Sequence, residues 1–328
     1  MTESVDLLIV GAGPVGIYGA YYAGARSMST VVLDSLEEPG GQITAMYPEK
    51  SIFDVGGIPG IRGRDLVAQL VAQAEPFHPH YRLGEQAVGL ARRDGGFTVT
   101  TSKGEAIECR GILITGGIGT FTPRPLPTGG EYAGRGVVNF VPDPNVYAGS
   151  EVVVVGGGDS AVDWALMLEP IAKAVTLVHR RAGFRAHPHS VDMLRASSVQ
   201  ILTDAQVSGV FGDPNVEAVE VTVLGEPRRV PCDTLIAALG FTANLGPLLD
   251  WGLEISKRQI AVNSQCATNI PGIYAAGDIV DYLGKVKLIA TGFGEAATAV
   301  NNLAAYLDPE VSAFPGHLSD YAAPAAAG

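Results

Sequence analysis

Gly11-Ala12-Gly13-Pro14-Val15-Gly16 follows the apolar run Leu7-Leu8-Ile9-Val10, and Gly156-Gly157-Gly158-Asp159-Ser160-Ala161 follows Val152-Val153-Val154-Val155. Each is a glycine-rich turn from a strand into a helix, where backbone N–H groups and the helix N-terminus can meet a pyrophosphate. Counting 23 residues on from each first glycine reaches Asp34 in one copy and His179 in the other. Asp34 ends the run Val31-Val32-Leu33. His179 ends Val175-Thr176-Leu177-Val178 and is followed by Arg180 and Arg181, with Arg185 shortly after. A carboxylate at this position accepts hydrogen bonds from ribose hydroxyls, whereas arginine forks suit an extra ribose phosphate. Two loops that differ here imply two different dinucleotides on one chain.

Outward from these loops, strand-type runs recur at residues 5–10, 30–34, 97–101, 111–115, 151–155, 174–179, 217–224, 234–239 and 272–276. Helical stretches are expected at 13–24, 159–171 and 294–307. Each strand, loop, helix and following strand forms a βαβ unit, which requires a parallel sheet and a right-handed crossover. The second fingerprint starts 145 residues after the first. Ile112-Leu113-Ile114-Thr115-Gly116-Gly117 closes the opening segment, and Leu235-Ile236-Ala237-Ala238-Leu239-Gly240 closes the middle one in similar style. A further strand ending in Gly277-Asp278 follows, so the expected fold is α/β, with a second nucleotide-binding domain inserted into the first. Junctions are expected near 117–122 and 241–246, where Gly, Pro, Thr and Asn cluster.

Gly11 serves the tight turn, Gly13 the close approach to phosphate, and Gly16 the contact between helix and strand; Pro14 opens the helix. In the second copy Gly156, Gly158 and Ala161 take these places, and Asp159 and Ser160 are candidates to cap the helix. The 328 residues suffice for two cores, since single cores rarely exceed roughly 250–300 residues. A net charge of −12 argues against nucleic acid and anionic membranes as partners. No apolar run reaches the roughly 18–20 residues of a membrane span, and the acidic start Met1-Thr2-Glu3-Ser4-Val5-Asp6 does not read as a signal peptide. The expected location is cytoplasmic. Cys109, Cys232 and Cys266 are far apart, which fits free thiols in a reducing compartment. No metal site is expected.

Several segments together resemble thioredoxin-reductase-like flavoproteins, and within them the ferredoxin/flavodoxin–NADP reductases of that type. They are Gly40-Gly41-Gln42 with Met46-Tyr47-Pro48-Glu49-Lys50, the second fingerprint through Ala165, and His179-Arg180-Arg181 with Phe184-Arg185-Ala186-His187. Ala275-Ala276-Gly277-Asp278 and Gly292-Phe293-Gly294-Glu295-Ala296 complete the set. The resemblance covers nearly the whole chain. It implies two three-layer ββα, glutathione-reductase-like, Rossmann-type domains: an FAD-binding domain from residues 1–118 and 244–328, and an NADPH-binding domain from 119–243. FAD contacts implied are Gly11, Gly13, Pro14, Gly16, Asp34, Gly41, Gln42, Tyr47, Val88, Phe121, Asp278 and Ser319, with the rings of Tyr47 and His317 stacking on the flavin. NADPH contacts implied are Gly156, Gly158, Asp159, Ser160, Ala161, His179, Arg180, Arg181 and Arg185.

Thioredoxin reductases carry a Cys-x-x-Cys pair just ahead of the second domain's first strand. Here that place holds Asn139-Phe140-Val141-Pro142, which can form no thiolate and no disulfide. The resemblance therefore implies hydride transfer from NADPH to FAD, then one-electron transfers to ferredoxin or flavodoxin, in a homodimer. No side chain is expected to act as a general base. An NADPH oxidase or quinone reductase on the same scaffold, and a nucleotide sensor without turnover, are the rival readings.

Overall fold

The structure is a computed structural model that describes residues 3–317, apart from the side chains of residues 120–122 and 243. Two compact units emerge, one from residues 1–120 and 243–328 and one from residues 121–242.

In the first unit, parallel strands run in the order His80–Leu83, Thr30–Asp34, Glu3–Val10 and Ala106–Ile114. The last of these is shared. Its first half pairs antiparallel with Gly96–Thr101, which pairs in turn with Ala87–Arg93, while its second half takes Ile273–Ala275 in parallel. The continuous apolar runs follow from burial on both faces. Leu7, Ile9, Val32 and Leu113 pack against Ala20, Ala23, Ala296, Val300 and Leu303 on the helical side. Leu8, Val31, Leu33, Ile112 and Ile114 pack against Val99, Phe97 and Trp251 on the other. Three layers result: antiparallel strands, parallel sheet and helices.

The second unit repeats this plan. Its parallel sheet runs Val137–Val138, Thr234–Ala237, Glu151–Val155, Ala174–Val178 and Gln200–Leu202. Val152, Val154 and Leu177 face the helices Asp159–Leu168 and Pro188–Ala196. Val153, Val155 and Val178 face a meander of Ala205–Phe211, Ala218–Val223 and Glu226–Pro231.

The helix expected at 294–307 runs Ile289–Leu307 instead. Its glycines do not end it, because Gly292 is a contact residue: a Cβ there would lie 2.5 Å from the Val15 side chain. Helices also form at Gln42–Met46, Gly63–Ala74 and Pro188–Ala196, outside the stretches expected to be helical. Each expected junction segment contains a short strand. Thr120–Pro123 and Phe241–Asn244 are strands that pair with each other.

Candidate functional site

The first glycine loop is shaped by contacts that no side chain could share. Gly11 has φ +116°, and a Cβ on it would stand 2.6 Å from the Thr115 carbonyl oxygen. A Cβ at Gly16 would meet the Gly11 oxygen at 1.9 Å. One at Gly13 would meet nothing within 4 Å. The turn is thus closed on two sides and open on the third, where a phosphate has room to approach. Gly13 is also the N-cap of the helix Pro14–Ala25 and offers no side-chain cap, so the first-turn N–H groups stay available to an anion.

Neighbouring segments converge on this opening. The Asp34 carboxylate accepts from the Ala12 N–H at 2.6 Å and the Leu36 N–H at 2.9 Å, which ties the end of the second strand to the loop. Burial outweighs these bonds and moves its pKa above the ordinary carboxylate value. Gly40 N–H donates to the Ala12 carbonyl at 2.7 Å, and a Cβ on Gly41 would touch the Gly13 Cα at 3.1 Å. Gln42 opens the next helix, and its side-chain nitrogen lies against Gly117. Burial, then the nearby charges of Asp278 and Asp54, raise the Tyr47 phenol, which places Tyr47 and Asp278 within electrostatic reach. Gly277, just ahead of Asp278, lies against Val15 of the fingerprint helix. Val88 sits at a β-bulge and its carbonyl accepts from Trp251 Nε1 at 3.3 Å. His317 lies in the C-terminal segment, edge-on to Phe314 with ring centroids 5.4 Å apart. Phe121 lies on the strand Thr120–Pro123 without a described side chain, and Ser319 falls outside the described residues.

The second loop repeats the pattern. A Cβ at Gly156 would stand 2.4 Å from the Ala238 oxygen, whereas one at Gly158 would meet nothing within 4 Å. The helix Asp159–Leu168 has Gly158 as its N-cap and no side-chain cap, so Asp159 and Ser160 do not cap it. Asp159 Oδ1 instead accepts from the His187 N–H at 2.8 Å, and the Arg185 N–H donates to the Gly157 carbonyl at 2.7 Å. These two bonds staple residues 180–187 to the glycine loop. No sequence signal marks the staple, since both bonds use main-chain atoms from a loop of no regular pattern. Arg180, Arg181 and Arg185 are exposed on that loop, and Ala161 is buried behind it.

His179 has a different place from the arginines. It is 7% exposed, its ring stacks on Phe184 at 5.2 Å, and Nε2 lies 3.1 Å from the Gly183 carbonyl. A Cβ on Gly157 would come within 2.1 Å of the ring, so the imidazole forms the floor of the loop. Burial, aided by Arg180, Arg181 and Arg185 and opposed by the Gly183 bond, lowers its pKa from the ordinary 6.5. The ring is neutral at pH 7 and its Nε2–H donates to Gly183. The cationic character of this strand end comes from the arginines alone.

All three cysteines are buried free thiols, and burial pushes each up to about 12. In the stretch ahead of the second glycine loop, Phe140 lies parallel to Phe241 at 5.4 Å and Val141 is buried. Among the described residues, no group of His, Cys, Asp or Glu could hold a metal ion, and no helix is long and apolar enough to cross a membrane.

The profile of the pyridine nucleotide-disulphide oxidoreductase family matches residues 5–302. The chain is 57% identical over 315 residues to a protein of Frankia alni named ferredoxin–NADP reductase, covering 95% of this chain and 98% of that one. It is 55% identical over 319 residues to a protein of the same name from Salinispora tropica, covering 97% and 99%. Among solved structures it is similar to the thioredoxin reductase of T. acidophilum, with TM-score 0.79 and 26% identity over 94% of this chain and all of that one. The Lactococcus lactis thioredoxin reductase gives 0.78 and 25% over the same shares. With its two fingerprint loops, the chain belongs to the pyridine nucleotide-disulphide oxidoreductase family, as an FAD- and NADPH-dependent oxidoreductase.

Proposed function

We propose that this chain is a ferredoxin–NADP reductase that passes electrons from NADPH, through FAD, to ferredoxin or flavodoxin. The observation that carries the reading is the pair of Gly13 and Gly158, each open to a phosphate, on a chain without a dithiol ahead of the second loop. Phe140 and Val141 occupy the segment where a redox pair would stand, and every thiol is buried. Electrons therefore leave to an external acceptor. The names of relatives 55–57% identical over nearly the full chain support ferredoxin in that role.

The first loop, with Asp34, Gln42, Tyr47, Val88, Phe121, Asp278, His317 and Ser319, is assigned to FAD. The second, with Arg180, Arg181 and Arg185, is assigned to NADPH. When bound, FAD supplies the ability to accept a hydride and release single electrons. The side chains bind and orient, and none is required to move a proton. Asp34 orders the loop and presents its carboxylate at the strand end where a ribose belongs. The stapled arginines supply the planar forks that distinguish a 2′-phosphate. The chain acts as a homodimer in the cytoplasm, and its three reduced, buried cysteines support that compartment.

The test is anaerobic reduction of the purified protein by NADPH, followed by mixing with ferredoxin, flavodoxin, a quinone and oxygen in turn. Strong dependence of cytochrome c reduction on added ferredoxin or flavodoxin is expected. Equal turnover without them, with oxygen or quinone consumed, would show an oxidase or quinone reductase. A preparation without flavin would show a sensor.

A further inference from the structure

Glu295 is 6% exposed in the middle of the helix Ile289–Leu307, among Gly292, Ala296 and Ala299. The Lys285 side chain is 4% exposed and pairs with it. Glu295 Oε2 accepts from the Gly277 N–H at 2.7 Å. Its Oε1 accepts from the Tyr282 hydroxyl at 2.6 Å and from Lys285 Nζ. One carboxylate thus gathers three donors from the segment that carries Asp278.

Stability alone does not account for such a pair. Taking both charges out of water offsets most of their attraction, and apolar residues of similar volume usually serve a core as well. What an apolar residue cannot do is accept the buried Gly277 N–H. Gly277 has φ +86° and turns the chain from the strand Ile273–Ala275 into Asp278, while its Cα face lies against Val15 of the fingerprint helix. Gly292, three residues before Glu295, also packs on Val15, so the same helix face presses the corner against the first glycine loop.

We propose that Glu295 is a positioning residue for the flavin: its carboxylate holds the Gly277–Asp278 corner by accepting from the Gly277 N–H, while Lys285 pairs with the other carboxylate oxygen. The inference rests on the assignment of FAD to the first glycine loop. Glu295 needs no contact with the cofactor, and acts through the direction in which Asp278 is aimed.

The test is titration of the deflavinated full-length protein with FAD, followed by flavin fluorescence, beside thermal unfolding and NADPH affinity. Glu295→Met with Lys285→Met removes the acceptor without stranding a buried charge, and Glu295→Gln with Lys285→Met keeps a neutral acceptor. The Met/Met variant is expected to fold, to bind NADPH as the parent does, and to bind FAD about tenfold or more weakly, the scale of one lost charge-assisted hydrogen bond. The Gln/Met variant is expected to recover most of the FAD affinity. Parental FAD affinity in the Met/Met variant would overturn the proposal, whatever the unfolding temperature does. Equal weakening in both variants would also overturn it, because charge rather than the hydrogen bond would then be the cause. Failure of the unaltered protein to take up FAD would instead overturn the FAD assignment itself.

Discussion

The glycines of each fingerprint do different work, and substitution separates their roles. Gly13 has an ordinary φ of −69° and open space where a Cβ would sit. Gly13→Ala is expected to leave the thermal stability of the deflavinated protein unchanged or slightly raised, since alanine restricts the unfolded chain. It should weaken FAD in titration, because the methyl stands in the phosphate's approach. Gly16→Ala drives a methyl into the Gly11 carbonyl and should cost about 1–3 kcal/mol in denaturant unfolding before any cofactor is added. Arg180→Ala or Arg181→Ala should weaken NADPH far more than NADH, by about 1.5–3 kcal/mol in binding measurements. Equal loss for both coenzymes would remove the phosphate assignment. His179 sets a pH dependence. Its folded pKa lies below the unfolded 6.5, so the unfolded chain binds the extra proton and stability falls as pH drops below about 6.5. Melting curves at pH 7.5 and 5.5 should show a smaller acid loss for His179→Gln, which keeps a donor for Gly183.

At the scale of elements, the decisive local device is the staple between residues 180–187 and the second glycine loop. Arg185 N–H to Gly157 and His187 N–H to Asp159 fix where the arginine side chains start, although those side chains are exposed. Asp159→Ala removes one staple bond, and a net hydrogen bond of about 0.5–1.5 kcal/mol corresponds to roughly two- to tenfold. Coenzyme titration should therefore show weaker NADPH with a falling preference over NADH, while Asp159→Asn should stay close to the parent. Fingerprint strands and helices were readable from sequence because apolar runs and glycine spacing are local signals. Thr30–Asp34 and Glu151–Val155 run as the apolar pattern indicates. The start of the last helix at Ile289 was not, since Gly292 and Gly294 look like chain breaks until the packing on Val15 is seen. Short strands such as His80–Leu83 carry no pattern of their own and exist through pairing with a neighbour.

For the whole molecule, the two units repeat one layered plan, and electrons have no thiol route through either. Cys109, Cys232 and Cys266 are each enclosed in a hydrophobic cluster. A chromogenic disulfide at pH 8 should find no reactive thiol in the native protein and three after denaturation. Any thiol found reactive in the native state would contradict the burial that pushes all three up to about 12. Blocking such a thiol should leave flavin reduction by NADPH unchanged.

The sequence by itself determined the two phosphate loops, the contrast between Asp34 and the arginines, and the absence of a dithiol ahead of Gly156. Each depends on residue type at a fixed spacing within one βαβ unit, which is information carried along the chain. The tertiary structure alone decided that His179 is a neutral floor rather than a cation, because that turns on burial under Gly157. It alone showed Asp159 bonded to the His187 N–H instead of capping its helix. It alone brought Glu295 and Lys285 to Gly277, since their meeting requires a helix and a loop to fold back on a strand end.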